Sequence, residues 1–350
     1  MKPILPLLLR RSLLASLLVP IISLSFSASA ADFMVDASQY SDPNNNIYST
    51  LEELVSSVAL VAGDTVILNN DDASLTTGLT VPVNFRSADP AALCAVDLSG
   101  LGKNPLYNLG AGEYTLEMDS VIWSNGAAGV IRTADDNVSL EITGEVQFLN
   151  NHVDNSNNSA YGGAIDMEGD HATLTLGNNV TFSGNYASSD SYSISTSSGG
   201  AIYMQGVNSF LTICNGAIFT NNYSSTYGGA IYLQGITTDN SSRFLAFTHD
   251  VLFSGNMTGG TFTQHNDGSF SVVNGVANAI HVDGTNHLQL AAAQGKEVRF
   301  NDPITSAAYF SSTENVTLSL NQYTDDDGIS HTTDGTVIFS GELYQGDDAH

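Results

Sequence analysis

The chain has 350 residues and carries 36 acidic side chains against nine basic ones, for a net charge of −27. So few and so scattered cations supply no phosphate-neutralising stripe, which excludes nucleic acid as a partner. Two cysteines, Cys94 and Cys214, are too few for the disulfide framework of a small secreted domain, and nothing at metal-ligand spacing surrounds either one, so neither a metal nor a cofactor is expected.

Lys2, Arg10 and Arg11 precede an apolar stretch from Leu13 to Phe26, and Ala28-Ser29-Ala30 offers a small-residue cleavage site before Ala31. Residues 1–30 therefore read as a cleaved signal peptide, because the stretch falls short of the roughly 20 residues a spanning helix needs. Its removal takes away three basic residues and no acidic ones, so the net charge moves from −27 to −30. The six remaining cations, Arg86, Lys103, Arg132, Arg243, Lys296 and Arg299, stand singly. A strongly acidic surface favours solubility and repels anionic membranes. With no later apolar run of spanning length, membrane association is expected only through a barrel missing from this sequence or through a partner.

Residues 31–62 read as an N-terminal cap. Leu51, Leu54, Val55, Val58 and Val61 recur at helical spacing and predict a capping helix over 51–62, followed by a first strand in 63–68. Such a cap protects the open edge of a repeating sheet.

The repeat decides the architecture. Gly162-Gly163-Ala164-Ile165, Gly199-Gly200-Ala201-Ile202 and Gly228-Gly229-Ala230-Ile231 alternate with Phe182-Ser183-Gly184-Asn185, Phe219-Thr220-Asn221-Asn222 and Phe253-Ser254-Gly255-Asn256. Ile165 to Phe182 and Ile202 to Phe219 are both separated by 17 positions, and a degenerate copy from Ile131 to Phe148 keeps the same 17. Later copies carry insertions: Ile231 to Phe253 spans 22 and Ile280 to Phe300 spans 20. Period-two alternation marks three short strands per copy, in one copy Ile165 with Met167, Leu174 with Leu176, and Val180 with Phe182. Units this short bury their apolar face only by stacking on their neighbours. The expected fold is all-β, a right-handed parallel β-helix (solenoid) with a short N-terminal capping helix, running over residues 63–301. Residues 302–350 form further, incomplete coils with no β-barrel.

The motifs read first as scaffold. Paired glycines permit a tight turn or close backbone approach, stacked phenylalanines fill the interior, and the asparagines satisfy turn backbone and form a ladder from coil to coil. The segments between Asn and the next Gly-Gly vary in length and are rich in Ser, Asn and Tyr, a composition suited to recognition. They leave the coil at one corner. Tyr161, Tyr186, Tyr192, Tyr223 and Tyr227 are the candidate binding residues there, with plain solvated loops as the alternative. Asp71-Asp72, Asp135-Asp136 and Asp325-Asp326-Asp327-Gly328 read as solvated acidic turns rather than calcium loops, since correctly placed companion ligands are missing.

Paired in fixed register, the GGAI and FxxN motifs resemble those of the chlamydial polymorphic outer membrane proteins, an autotransporter family, over about residues 120–345. The resemblance implies secretion by the type V route, display at the outer membrane or cell surface, and adhesion to a host-cell receptor or surface glycan, with the repeat motifs themselves linked to adhesion. The sequence departs from the family in its few cysteines and in reaching His350 without the alternating strands of a barrel, so kinship rather than self-export is implied. Parallel β-helices also host polysaccharide lyases and glycoside hydrolases, but no paired carboxylates or basic cluster singles out a catalytic centre, and no enzyme is expected. A structural coat protein without a specific receptor is the remaining alternative.

Overall fold

The computed structural model describes residues 30–69, 73–154, 159–189, 197–235, 243–246, 250–284, 286–307, 316–324, 330–340 and 343–346. Nearly all of the signal-peptide segment, Asp71, Asp72, Tyr192 and Asp325 to Asp327 lie outside these residues.

Alternating apolar residues in short runs, each ended by Gly, Asn or Asp, give strands of two to eight residues that stack in parallel into three long sheets of 11, eight and nine strands. Each turn of the chain contributes one strand to each sheet, which makes a parallel β-helix. The Gly-Gly sheet aligns Ile131, Ile165, Ile202, Ile231, Ile280 and Ile304. The leucine sheet aligns Leu140, Leu174 and Leu211, and the phenylalanine sheet aligns Phe148, Phe182, Phe219, Phe253, Phe300 and Phe339. The registers are those the 17-residue spacing requires.

Inside the tube the phenylalanine rings stack at 4.8, 4.9, 4.7 and 4.7 Å from Phe148 through Phe300, close to the strand spacing itself. At the N-terminal end Trp123 takes the same column and meets Phe85 edge-on at 4.8 Å. Each such ring is fully buried and contributes about 1.5–3 kcal/mol of hydrophobic stabilisation.

The glycines divide the labour at the corner. Gly199 sits at φ +67°, in the left-handed region. Its neighbour Gly200 is there for close approach, because a Cβ would lie 2.1 Å from the Gly229 carbonyl oxygen of the next coil. Only hydrogen fits.

The N-terminal cap differs from expectation in two respects. The helix covers Leu51–Ser57 and not 51–62, because Val58 turns to an extended conformation. Thr50 caps it by accepting from the Glu53 N–H, while Leu51 and Leu54 face the core. The strand Thr65–Leu68 is also not the first: Asp32–Val35 already pairs with it in parallel, and the two-residue strand Ile47–Tyr48 closes the edge beyond. Helical apolar spacing does not distinguish a helix from the extended segment that follows it, in which Val58 and Leu60 pack against the core.

Cys94 and Cys214 are free thiols. Cys94 aligns with Val121, Val146 and Val180, four coils below the level of Ala217. At about 4.8 Å per coil that separation, about 19 Å, is far beyond disulfide reach.

Candidate binding site

The asparagine of each FxxN motif is fully buried and does the work expected of a scaffold residue. Asn151 Nδ2 donates to Asn185 Oδ1 (3.2 Å), Asn185 to Asn222 (3.0 Å), Asn222 to Asn256 (2.9 Å), and Asn256 to Asp302 Oδ2 (2.8 Å). Each Nδ2 also donates to the carbonyl of the aromatic residue one coil back, as Asn185 does to Phe148 at 2.9 Å. Asp302 ends the ladder, its carboxylate accepting from the Gly255 and Asn256 N–H groups as well. The Asp136 carboxylate likewise accepts from the Asp170 N–H (2.9 Å) and Asp135 from the Ala111 N–H (3.2 Å), so these acidic turns hold the backbone of a neighbouring coil. Among the described residues no group of three or more His, Cys, Asp or Glu is arranged to hold a metal.

Immediately after the asparagines the chain does not leave the coil as open loops. His152–Asp154, Tyr186–Ser188, Tyr223–Ser224 and Met257–Thr258 stack in parallel as a fourth, shorter ladder. Tyr186 and Tyr223 are its buried rungs, and burial raises both hydroxyl pKa values, Tyr223 to about 12. They were expected to be binding residues on variable loops. In-register stacking withdraws them from solvent. Tyr161 and Tyr227, at the far ends of the same turns, are half-buried and lie against the outer face of the Gly-Gly sheet.

That outer face is aromatic. Register places Arg132, Asp166, Tyr203, Tyr232, His281 and Thr305 in one row. Tyr161 stacks on Tyr203 at 4.3 Å, Tyr203 on Tyr232 at 5.3 Å, Tyr232 on His281 at 5.6 Å and Tyr227 on His281 at 4.5 Å. Asp166 is buried beside Arg132 (3.4 Å). Desolvation pushes its carboxyl well above the usual range, repulsion from Glu168 adds to the rise, and Arg132 opposes it. Burial likewise pushes His281 down to about 4. The sequence carried the signal in Ile202-Tyr203-Met204-Gln205 and Ile231-Tyr232-Leu233-Gln234, where period two turns the tyrosines outward.

The longest turn, after Asn256, folds into an antiparallel hairpin of Thr261–Gln264 and Phe270–Val273. Phe262 stacks on Tyr223 at 4.8 Å and touches Tyr186 at 4.9 Å, and Phe270 meets Tyr186 at 5.4 Å. The hairpin thus lies along the fourth ladder and runs back toward the N-terminal end. At its tip Gly268 is so close to Asn125 that a Cβ would lie 2.6 Å from the Asn125 Oδ1. From the level of Asn256 to that of Asn125 is four coils, about 19 Å.

Under the tip lies a cleft of about 620 Å³. Gln264, His265, Asn266, Asp267 and Gly268 roof it; Asp97, Ser99, Asn125, Ala127 and His152 form the other walls. Asp97 is held by Ser99 (Oγ to Oδ2, 2.8 Å) and Asn125 (Nδ2 to Oδ1, 3.2 Å). Ser269 donates to Asp267 from its hydroxyl (2.6 Å) and its N–H, which lowers the Asp267 pKa. His152 is the first rung of the fourth ladder: Tyr186 covers one face of its ring at 4.7 Å and 8°, and burial lowers its pKa. None of these cleft residues stood out in the sequence. His265-Asn266-Asp267-Gly268 between two alternating runs was a readable hairpin turn, but its docking four coils away was not.

The fold and this side of it define a parallel β-helix repeat protein whose regular coil carries an irregular, open cleft under the hairpin tip. Residues 179–205 and 216–234 match the Chlamydia polymorphic membrane protein (Chlamydia_PMP) repeat, each stretch running from the Phe strand through the asparagine corner to Gly-Gly-Ala-Ile. Those two stretches carry the repeat of that family, and the strands in register with them on either side extend the same coil. Comparison with curated proteins and with solved structures gives no significant match.

Proposed function

We propose that this chain is the adhesin-like passenger of a surface-displayed autotransporter, touching its host-cell receptor or surface glycan through the side that carries the asparagine corner and the hairpin. Secretion through a cleaved signal peptide belongs to the same reading. The observation that carries it is the hairpin. Between Ile131 and Phe300 the described strands otherwise repeat in register for stacking, whereas Gly259 to Gly275 breaks the repeat, covers the fourth ladder and creates a cleft that the scaffold does not need. The repeat motifs act as the frame: their asparagines and glycines are consumed by contacts between coils.

The test is adhesion of cells displaying the chain. Removing Tyr186 to Ser198 would take out a buried rung, so the clean variant replaces His265 to Gly268 by a two-residue turn. Adhesion should fall at least tenfold while circular dichroism and melting stay as in the parent. Unchanged adhesion by a folded variant refutes this assignment and leaves the structural-coat reading. A lyase or hydrolase is the other alternative, tested by release of reducing or unsaturated sugars from acidic polysaccharides.

A further inference from the structure

The fourth ladder begins abruptly. In the coil of His152 the chain extends outward as His152–Asp154, but in the coil before it Gly126-Ala127-Ala128-Gly129 crosses the same corner in four residues. That short crossing meets the ladder through its backbone, with the His152 N–H donating to the Gly126 carbonyl (2.7 Å) and Ala128 bridging to Val153, and it supplies no ring to stack on His152 from below. Tyr186 covers one face of the His152 ring, and His152 lines the open volume of about 620 Å³.

The remaining walls select the ligand. Asp97 and Asp267 line the cleft, with no lysine or arginine among the lining residues, and the chain as a whole carries −27, so anions are repelled. Gln264 and Asn266 carry planar amides with donor and acceptor side by side, while the Asn125 amide already donates to Asp97. The Asp97 carboxylate is fixed by Ser99 and Asn125 before any ligand arrives, which spares ordering entropy. Burial keeps the His152 ring uncharged at neutral pH, so it is an apolar platform rather than a repelling cation. Flat platform, fixed carboxylate and paired amides together match the alternating C–H face and hydroxyl edge of a pyranose.

We propose that the cleft between His152 and the hairpin tip is a binding site for a neutral saccharide, whose ring lies on the His152 imidazole while Asp97, Asn125, Gln264 and Asn266 hydrogen-bond its hydroxyls. This inference rests on the recognition side assigned above and names the ligand class for it.

The whole secreted chain is titrated by calorimetry, and by saturation-transfer NMR, with N-acetyllactosamine, lacto-N-tetraose and maltotriose. Heparin, sialyllactose and poly-lysine serve as charged comparators. Binding of at least one neutral sugar is expected, weakened tenfold or more by the double variant Gln264→Ala/Asn266→Ala, whose residues are solvent-exposed and outside the core. His152→Phe should retain binding and His152→Ser should lose it, a split that simple loss of packing would not give if both variants melt like the parent. Failure of all three neutral sugars, tighter binding of heparin or poly-lysine, or indifference to the hairpin double variant overturns the proposal. Loss of cell adhesion in the shortened hairpin without any neutral-sugar binding would leave the adhesin reading standing and remove this one. Sugar binding with unchanged adhesion would do the reverse.

Discussion

Replacing Asn185 by alanine takes out an interior rung of the buried asparagine ladder. Its Oδ1 accepts from the backbone N–H and the Nδ2 of Asn151, at 3.0 and 3.2 Å, and its Nδ2 donates to the Phe148 carbonyl and to Asn222 Oδ1, at 2.9 and 3.0 Å. Two of these partners keep another bond: Asn151 Nδ2 still reaches the Trp123 carbonyl, and Asn222 Oδ1 still accepts from the backbone N–H of residue 185. The Asn151 N–H, fully buried, loses its acceptor, and the Phe148 carbonyl loses a donor. An orphaned buried group costs about 1–3 kcal/mol and a lost neutral bond about 1 kcal/mol, so the variant should lose on the order of 2–4 kcal/mol in urea unfolding followed by circular dichroism. Because coils couple to their neighbours, hydrogen exchange should quicken first at Asn151 and Asn222. Asn185→Asp keeps the Oδ1 acceptor but replaces the Nδ2 donor by a carboxylate oxygen aimed at two other acceptors, the Phe148 carbonyl and Asn222 Oδ1. Its folded pKa then lies above the unfolded one, so the penalty is present above the ordinary carboxylate range and shrinks as the pH falls and protonation restores a donor. An alanine variant within 1 kcal/mol of the parent, or an aspartate variant indifferent to pH, would refute the ladder's role.

Gly200→Ala should abolish accumulation of folded protein, measured as soluble yield, since its Cβ meets backbone oxygens of Gly229 and Tyr223 at 2.1 and 2.4 Å, neither of which can move alone. Tyr186→Phe should be neutral or stabilising by up to about 1 kcal/mol in the same unfolding assay, because the buried Tyr186 hydroxyl has no partner to lose. The outer face of the Gly-Gly sheet predicts two opposed pH limbs. Asp166, raised by burial, favours folding when protonated, so its contribution falls as the pH rises above the ordinary 3.8, and the melting advantage of Asp166→Asn over the parent should grow above about pH 4. His281, pushed down to about 4 from 6.5, refuses in the folded state a proton the unfolded chain accepts, so stability is lost as the pH falls between those values. A melting profile of His281→Phe with the same acid limb as the parent would contradict this assignment.

The coil was legible because stacking demands identity in register, and Ile165, Ile202 and Ile231 with Phe182, Phe219 and Phe253 display it at fixed spacing. The asparagine ladder was legible for the same reason. The tyrosines misled, since a Ser-, Asn- and Tyr-rich stretch has the composition of a solvated recognition loop whether or not its first residues add a rung to a ladder. Composition does not report that a backbone segment has found a parallel partner one coil away. Nor does alternation in Thr261 to Val273 say where its phenylalanines land, because their partners Tyr223 and Tyr186 lie one and two coils further back.

Hairpin and tyrosines belong to one device. The fourth ladder places two large rings outside the main core, where the ladder's own ring stacking joins Tyr186 to His152. Phe262, stacked on Tyr223, and Phe270, edge-on to Tyr186, cover these rings from outside, which stabilises an insertion that would otherwise have little apolar area to fold on. Once the hairpin is fixed there, its length carries the tip past the last rung, His152, to Asn125, and a volume with no rung below it is roofed over. The cleft then follows from two independent lengths, the number of rungs in the ladder and the number of residues in the hairpin. Its shape is accordingly open to change without disturbing the scaffold. Trimming only His265 to Gly268 keeps both phenylalanines on the tyrosines and removes only the roof, so recognition and stability should separate at this point of the chain.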